Sequence, residues 1–381
     1  MPTSAHNQEE TQPPGDPPKP LWRIAVLANI KSDDMPRPEN IPADAFADYD
    51  HIETIEAIQA ALETDDHKTK FIPADENLPY ALKDYKPDIC FNIAEGLGGD
   101  AREAHAPALL ELLKIPYTGS RVMTNVLALD KTLTKRIWRD RKLPVAPFQE
   151  FTTGDEPLRH DLKFPLFVKP AREGTGMGVG AKSKVEDEAS LREQVNYVIE
   201  SYKQPALVES FLPGREFTVG QLGRPDARLY GRHPEWYNVD GYHQFPIMEL
   251  DSSHTSTPGI YSNEAKSKSL GDEGAPDYIC PADLDPKLEK KLYHLALRAH
   301  KILGAVDVSR VDFRLDENGE PRLIEINPLP GLTPDYSDLC LQASTEGIQY
   351  HDLILEILYL AAGRWGLLPP RTSQVLAKRK S

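Results

Sequence analysis

The strongest hint of chemistry lies near the C-terminal end of the chain. Val306 to Leu315 and Pro321 to Ile326 read as strands flanking Asn318-Gly319, a dipeptide that favours a tight hairpin turn. A two-residue turn there sets Asp312 opposite Glu325 and Arg310 opposite Asn327. The period-two alternation of strands then puts all four side chains on one face. Like charges facing each other across a sheet destabilise it unless something compensates. A divalent cation with oxygen ligands would do so, and Mg²⁺ takes a few carboxylates together with substrate phosphates. The competing reading is a solvated face on which Arg310 neutralises the acids.

A second stretch, Lys169-Pro170-Ala171-Arg172-Glu173-Gly174-Thr175-Gly176-Met177-Gly178-Val179-Gly180, directly follows a strand-like run. Loops this rich in glycine let backbone N–H groups converge on phosphate oxygens. The segment is not a dinucleotide fingerprint, because Val179 stands where a small residue is needed, and it lacks the Gly-Lys-Ser/Thr of a P-loop. Val179 to Ser183 reads as a strand. A strand–glycine loop–strand closing over phosphates is therefore expected, with a plain flexible hairpin as the alternative.

The elements that position these residues alternate between strand-like and helix-like text, an α/β pattern. Trp22 to Leu27 and Asp88 to Ile93 are buried-strand runs, and Ile52 to Leu62 and Ala104 to Leu113 have helical periodicity. Asp130 caps a helix beginning at Lys131, Phe164 to Lys169 is a strand, and Glu186 to Ser201 is a helix. A third block opens at Leu207-Val208-Glu209, with strands expected over Glu216–Gln221 and Arg228–Tyr230. Leu288, Leu292, Leu295 and Ala299 mark one face of a long helix stopped at Gly304. Residues 250 to 280 form a polar connection of unusual length, a pattern that fits a lid.

The 381 residues suffice for two or three domains. With 44 Lys and Arg against 59 Asp and Glu, the net charge is −15, which argues against nucleic acid and anionic membrane as partners. No apolar run spans a bilayer, and the first twenty residues lack the form of a secretory signal, so a cytoplasmic protein is expected. The three cysteines are scattered singly and read as reduced. Residues 1–20 are proline-rich and expected to be disordered, and residues 367–381 read as a basic tail.

Several segments in order resemble the ATP-grasp superfamily, and within it the D-alanine–D-alanine ligases. They are Ile115-Pro116-Tyr117-Thr118-Gly119-Ser120; Leu129-Asp130-Lys131 with Thr134-Lys135; Phe164 to Pro170; Pro213-Gly214-Arg215-Glu216-Phe217-Thr218-Val219; and Arg310-Val311-Asp312 through Glu325-Ile326-Asn327 to Pro334. The resemblance implies an α/β fold, α+β in its ATP-grasp part, with three domains: residues 21–123 for substrate, 124–205 central, and 206–366 C-terminal and catalytic. It implies ATP and Mg²⁺, with Mn²⁺ as a substitute. Lys131 and Lys169 match lysines that hold phosphates, with Gly174 and Gly176 in the phosphate loop. Glu209 and the backbone of Ser210, Phe211 and Leu212 match an adenine-binding hinge, and Glu216 a ribose ligand. Asp312, Glu325 and Asn327 match metal ligands, in agreement with the hairpin register. Arg310 and the N–H of Gly331 match groups that stabilise a tetrahedral intermediate, and Lys266 matches a lid lysine. Small-molecule amino-acid substrates are the implied partners, with a homodimer left open.

The substrate side departs from the family. The glycine-glycine-x-serine-x-glutamate segment after the first strand is replaced by Ala28-Asn29-Ile30-Lys31-Ser32-Asp33-Asp34, and Asp48 and Asp50 are candidate acids to replace its glutamate. Thr175 stands in the place of a catalytic loop serine, and the lid tyrosine falls at Ser267. Glu95 replaces a histidine, Arg102 and Glu103 replace an acidic-glycine turn, and Asp335 and Tyr336 stand near the receptor of the second carboxylate. Glu95, Arg102 and Glu103 are read either as substrate contacts or as an internal Arg102–Glu ion pair that orders the loop. The expected activity is ATP-dependent ligation of two amino acids through an acyl phosphate, of the kind that makes D-alanyl-D-alanine for peptidoglycan. The alternatives are a ligase of specialised metabolism with another substrate, and a nucleotide-binding protein without ligase activity.

Overall fold

The computed structural model describes residues 21–31, 42–255, 257–260, 262, 264, 268 and 272–371. Residues 1–20, Ser32 to Asp34, Lys266, Ser267 and residues 372–381, for which the sequence raises expectations, lie outside them. Three sheets carry the structure. The first is parallel, order β2-β1-β3, from β1 (Arg23–Ala28), β2 (Lys68–Pro73) and β3 (Ile89–Asn92). Its middle strand is covered on both faces, which is why Ile24 to Ala28 are apolar throughout and fully buried. The helix Ile52–Glu63 covers one face through Ile55, Ile58 and Leu62, and Leu78, Leu82 and Leu110 cover the other.

The second sheet is antiparallel, order β4-β7-β5-β6, from β4 (Phe148–Phe151), β5 (Leu166–Pro170), β6 (Lys184–Val185) and β7 (Ala206–Ser210). The helix Glu188–Tyr202 lies on it, and Asp187 caps that helix by accepting from the Ser190 N–H at 2.8 Å. The third block therefore does not open at residue 206. β7 pairs with β5 over five residues, and its buried Leu207 and Val208 need neighbours on both edges. The third sheet starts only at β8.

That sheet runs β11-β10-β8-β12-β13, with β9 beside β8, and all its pairings are antiparallel. Its strands are β8 (Glu216–Gly223), β9 (Tyr242–Gln244), β10 (Met248–Asp251), β11 (Asp277–Ile279), β12 (Val308–Leu315) and β13 (Pro321–Asn327). The expected apolar face of the helix Pro286–Leu303 packs on it through Leu292, Leu295 and Ala299. The helix Tyr350–Arg364 is apolar on nearly every side because it is wedged between the first and third sheets. Among the described residues no helix is long and apolar enough to cross a membrane.

Three local expectations are corrected. Arg228–Tyr230 lies in a short helix, Ala227–Tyr230, because the Arg224-Pro225-Asp226 turn feeds it with an Ala227 N–H to Arg224 carbonyl bond at 2.9 Å. Ala181–Ser183 is a 3₁₀ turn, tightened by the Gly180 N–H on Ser183 Oγ at 3.1 Å, and the strand starts only after it, at β6. The basic tail does not begin at 367: Leu367 and Leu368 join the core, and the Arg371 N–H donates to the Leu229 carbonyl.

The hairpin reaches its expected register by an unexpected route. Its loop has three residues, not two. A turn closes from the Gly319 N–H to the Asp316 carbonyl at 3.0 Å, Gly319 has φ +75°, and the Asp316 N–H reaches the Glu320 carbonyl. The extra loop residue moves the register by one, pairing Arg314 with Arg322. A bulge between Asp312 and Phe313 moves it back, and Ile324 is left over. Asp312 consequently faces Glu325, and Arg310 faces Asn327.

Candidate active site

A cavity of about 110 Å³ opens between the second and third sheets. Phe167, Met177, Val179, Phe211 and Ile324 give it apolar walls, and Lys131, Lys169 and Glu216 supply charge. Gly176, Glu209, Ser210 and Leu212 line it as well. The Ser210 and Phe211 N–H groups are already taken by the carbonyls of Pro147 and Pro165, at 3.0 and 3.2 Å, so those two donors do not face the cavity.

Under this cavity lies an ion cluster. Glu209 bridges Lys169 at 2.7 Å and Lys135 at 2.9 Å, all three nearly buried. Burial alone would raise the Glu209 pKa. Lys135 and Lys169 outweigh it and hold the carboxyl at about 2. Lys169 is buried, yet Glu209 and Glu325 raise its pKa, whereas for Lys135 burial prevails and the pKa falls. Lys135 had stood in the sequence only as part of a motif. Its position one helical turn after Lys131 was the available signal. Glu216 is held by Arg314 at 3.0 Å.

A larger cavity of about 250 Å³ adjoins the first, and Lys131, Glu173 and Glu325 line both. Asp130 caps the helix Lys131–Asp140 by accepting from the Leu133 N–H at 2.9 Å, which sets Lys131 at the junction. Lys131 Nζ there meets the Glu173 carbonyl and lies 3.2 Å from Glu325. Arg310, Asn327, Gly331 and Thr175 line the larger cavity. Arg310 grips Asp312 with Nε and Nη2, both at 3.0 Å, and Asp338 with Nη1 at 2.9 Å. Although buried, it is kept charged by Asp312 and Asp338, its pKa well above the ordinary value. Asp338 went unread in the sequence, and its only signal was a Ser-Asp pair opening the helix Asp338–Thr345. Tyr336 lines the cavity, whereas Asp335 is exposed and outside the lining: with φ +56° it sits in the turn that precedes that helix.

The first sheet supplies the far wall. Glu95, just past β3, and Glu103, in the 3₁₀ turn Arg102–Ala104, both line the cavity, together with Asp48 and Asp50. Arg102 is outside the lining. It bonds Asp48 at 2.9 Å, Glu173 at 3.1 Å and the Arg172 carbonyl at 2.9 Å. The substrate-contact reading of Arg102 thus gives way to an internal pair, and its partners are Asp48 and Glu173, not its loop neighbours. Arg172 makes a parallel tie to Asp130 and Asp100. These ties fasten the glycine loop to the first-sheet loops. Burial, with Glu103 and Asp48 nearby, pushes the Glu95 carboxyl well up. Burial also brings Glu103 to about 7 and, with Asp48 beside it, Asp50 to about 7.

Comparison with known proteins agrees with this architecture. A family model described as D-ala D-ala ligase C-terminus matches residues 137–359. The D-alanine–D-alanine ligase of Nitrosococcus oceani is 35% identical over 271 residues, 70% of this chain and 75% of its own. The uncharacterized protein y4sG of Sinorhizobium fredii is 32% identical over 318 residues, 81% of this chain and 88% of its own. The crystal structure of the Bacillus anthracis D-alanine–D-alanine ligase complexed with ATP has the same fold, with a TM-score of 0.67 at 21% identity over 91% of this chain and 99% of that one. The resemblance carried by the ordered motifs therefore holds for the whole fold: the chain belongs to the D-alanine–D-alanine ligase family, ATP-dependent ligases of the ATP-grasp superfamily.

Proposed function

We propose that the smaller cavity takes ATP and the larger one two amino acids, and that the carboxylate of the first is phosphorylated where the cavities meet. The observation that carries this reading is the shared lining by Lys131, Glu173 and Glu325. It gives one short passage between an apolar slot suited to a base and a polar chamber suited to zwitterions. Lys131 and Lys169 hold the phosphates, and Glu216, fixed by Arg314, meets the ribose. Glu209 acts from beneath by keeping Lys169 charged and in place.

Asp312, Glu325 and Asn327 fit a magnesium ion by donor chemistry: two carboxylates and an amide oxygen, all hard donors, on neighbouring strands. Among the described residues no three His, Cys, Asp or Glu side chains form a metal cluster, and a pair of carboxylates is the number Mg²⁺ takes when phosphates complete its shell. Bound there, the ion would neutralise charge on the transferring phosphoryl group. Mn²⁺ suits the same oxygen donors.

The amine of the second amino acid then displaces phosphate and forms an amide. Arg310, pinned on two sides by Asp312 and Asp338, offers a preorganised positive charge to the oxyanion, with the Gly331 N–H beside it. Thr175 lines the chamber in the place of a catalytic loop serine, and Lys266 matches the lysine that reaches the γ-phosphate. The acids at Glu95 and Glu103 make D-alanine a poor fit, so the reading favours a larger or more polar amino acid. The chemistry belongs in the cytoplasm, where ATP is supplied.

The test is phosphate release from ATP across a panel of D- and L-amino acids and dipeptides. Amino-acid-dependent release is expected, with Glu95→Gln lowering it more than it lowers ATP affinity. Efficient D-alanyl-D-alanine synthesis, with Glu95→Gln kinetically silent, would show that the acids of the first sheet are structural.

A further inference from the structure

The acids around the amino-acid chamber fall into two groups. Asp48 and Glu173 are neutralised by Arg102, Glu325 by Lys131, and Asp338 by Arg310. Asp50, Glu95 and Glu103 are left. All three line the same cavity, and among the described residues no hydrogen bond or ion pair reaches their carboxylates. Glu103 is only 8% exposed. Arg102 lies near Glu95 and Glu103, and Lys131 near Glu103, but neither cation forms an ion pair with them, and a single α-ammonium would pair with only one of the three acids.

Their charged neighbours overlap. Glu103 has Arg102, Lys131, Asp48 and Glu325 near it, and so lies within reach of the junction of the cavities. Glu95 has Glu103, Asp48, Arg102 and Asp50 near it, and Asp50 has Asp48.

We propose that the chamber recognises an amino acid with a second cationic group, its α-ammonium lying against Glu103 and its side-chain ammonium or guanidinium against Asp50 and Glu95. The substrate class is therefore diamino acids and guanidino amino acids. This rests on the ligase reading for its chemistry but not for its binding. Charge supplies the selectivity: a neutral isostere leaves Asp50 and Glu95 unpaired, and a site with buried polar groups discriminates strongly against a ligand that fails to pair them.

The experiment compares lysine, ornithine and arginine, in both chiralities, with norleucine, which matches the length of lysine without its charge. kcat/KM for phosphate release and calorimetric affinity are measured on the full chain and on Asp50→Asn and Glu95→Gln. Neither substitution removes a hydrogen bond seen in the fold, and melting curves check that both variants are folded. The expected result is a preference of roughly ten- to hundredfold for a cationic amino acid over norleucine, with the ratio falling toward one in Asp50→Asn. Norleucine or alanine used as well as every cationic amino acid, or a ratio unchanged in both variants, would overturn the proposal. Lysine binding that Asp50→Asn abolishes, with no phosphate release from any amino acid, would support the chamber assignment and remove the ligase reading alone.

Discussion

Replacing Glu209 by glutamine tests the ion cluster beneath the nucleotide cavity. The amide keeps the shape of the side chain and removes the charge that faces Lys135 and Lys169. A carboxyl held at about 2 against an ordinary 4.5 contributes about 3 kcal/mol to stability at neutral pH. Breaking a buried pair costs about 3–5 kcal/mol, and the lowered pKa of Lys135 keeps the loss near the bottom of that range, because Lys135 can shed its proton. Glu209→Gln should therefore lose about 3 kcal/mol in urea unfolding at pH 7. The sign of the pH dependence follows from the depressed carboxyl. Its contribution is complete above the ordinary value of 4.5 and disappears as pH falls toward 2, so the gap between wild type and variant should narrow below about pH 4.5. Adding Lys135→Met should restore part of the loss, because one stranded cation is then gone. A variant within about 0.5 kcal/mol of wild type, or a gap that stays flat from pH 7 to about pH 3, would refute the reasoning.

Further expectations concern the nucleotide, the metal, the glycine loop and the far wall. Lys169→Ala should weaken ATP binding strongly by calorimetry. Glu216→Ala should do so more mildly, by roughly 1–3 kcal/mol including the stranded Arg314, and unchanged affinity in both would contradict the placement. Glu325→Gln should remove most Mg²⁺-dependent turnover with the fold intact by circular dichroism, so wild-type rates at limiting Mg²⁺ would count against the hairpin as metal site. Gly178→Ala should raise the KM for ATP and lower the melting temperature. Gly178 has φ +71°, and an added Cβ would lie 2.5 Å from Pro170 Cγ, so a silent variant would show that the loop yields easily. Asp50, raised to about 7 by burial and Asp48, binds a proton more tightly folded than unfolded, so it costs stability as pH rises from about 4 through 7. Asp50→Asn should thus gain on wild type over that window, and equal urea midpoints at pH 8 would argue against burial of the charge.

What the sequence determined by itself is whatever depends on residues close together in the chain. Asp130 as a cap, the apolar faces of the helices and the hairpin around Asn318-Gly319 all follow from local spacing, because cap, period and turn are short-range physics. The ordered motifs added the fold, since several together leave little room for another topology. Tertiary structure decided the rest. A three-residue loop and a bulge offset each other, so the facing of Asp312 and Glu325 came out as read although the turn did not. Arg102 found Asp48 fifty-four positions away and Glu173 still further along the chain, and Glu209 lies between two lysines from different elements. No spacing rule reaches such pairs. Whether an acid is neutralised or left facing a chamber depends on which distant cation the folded chain delivers to it, and that choice separates Asp48 from Asp50.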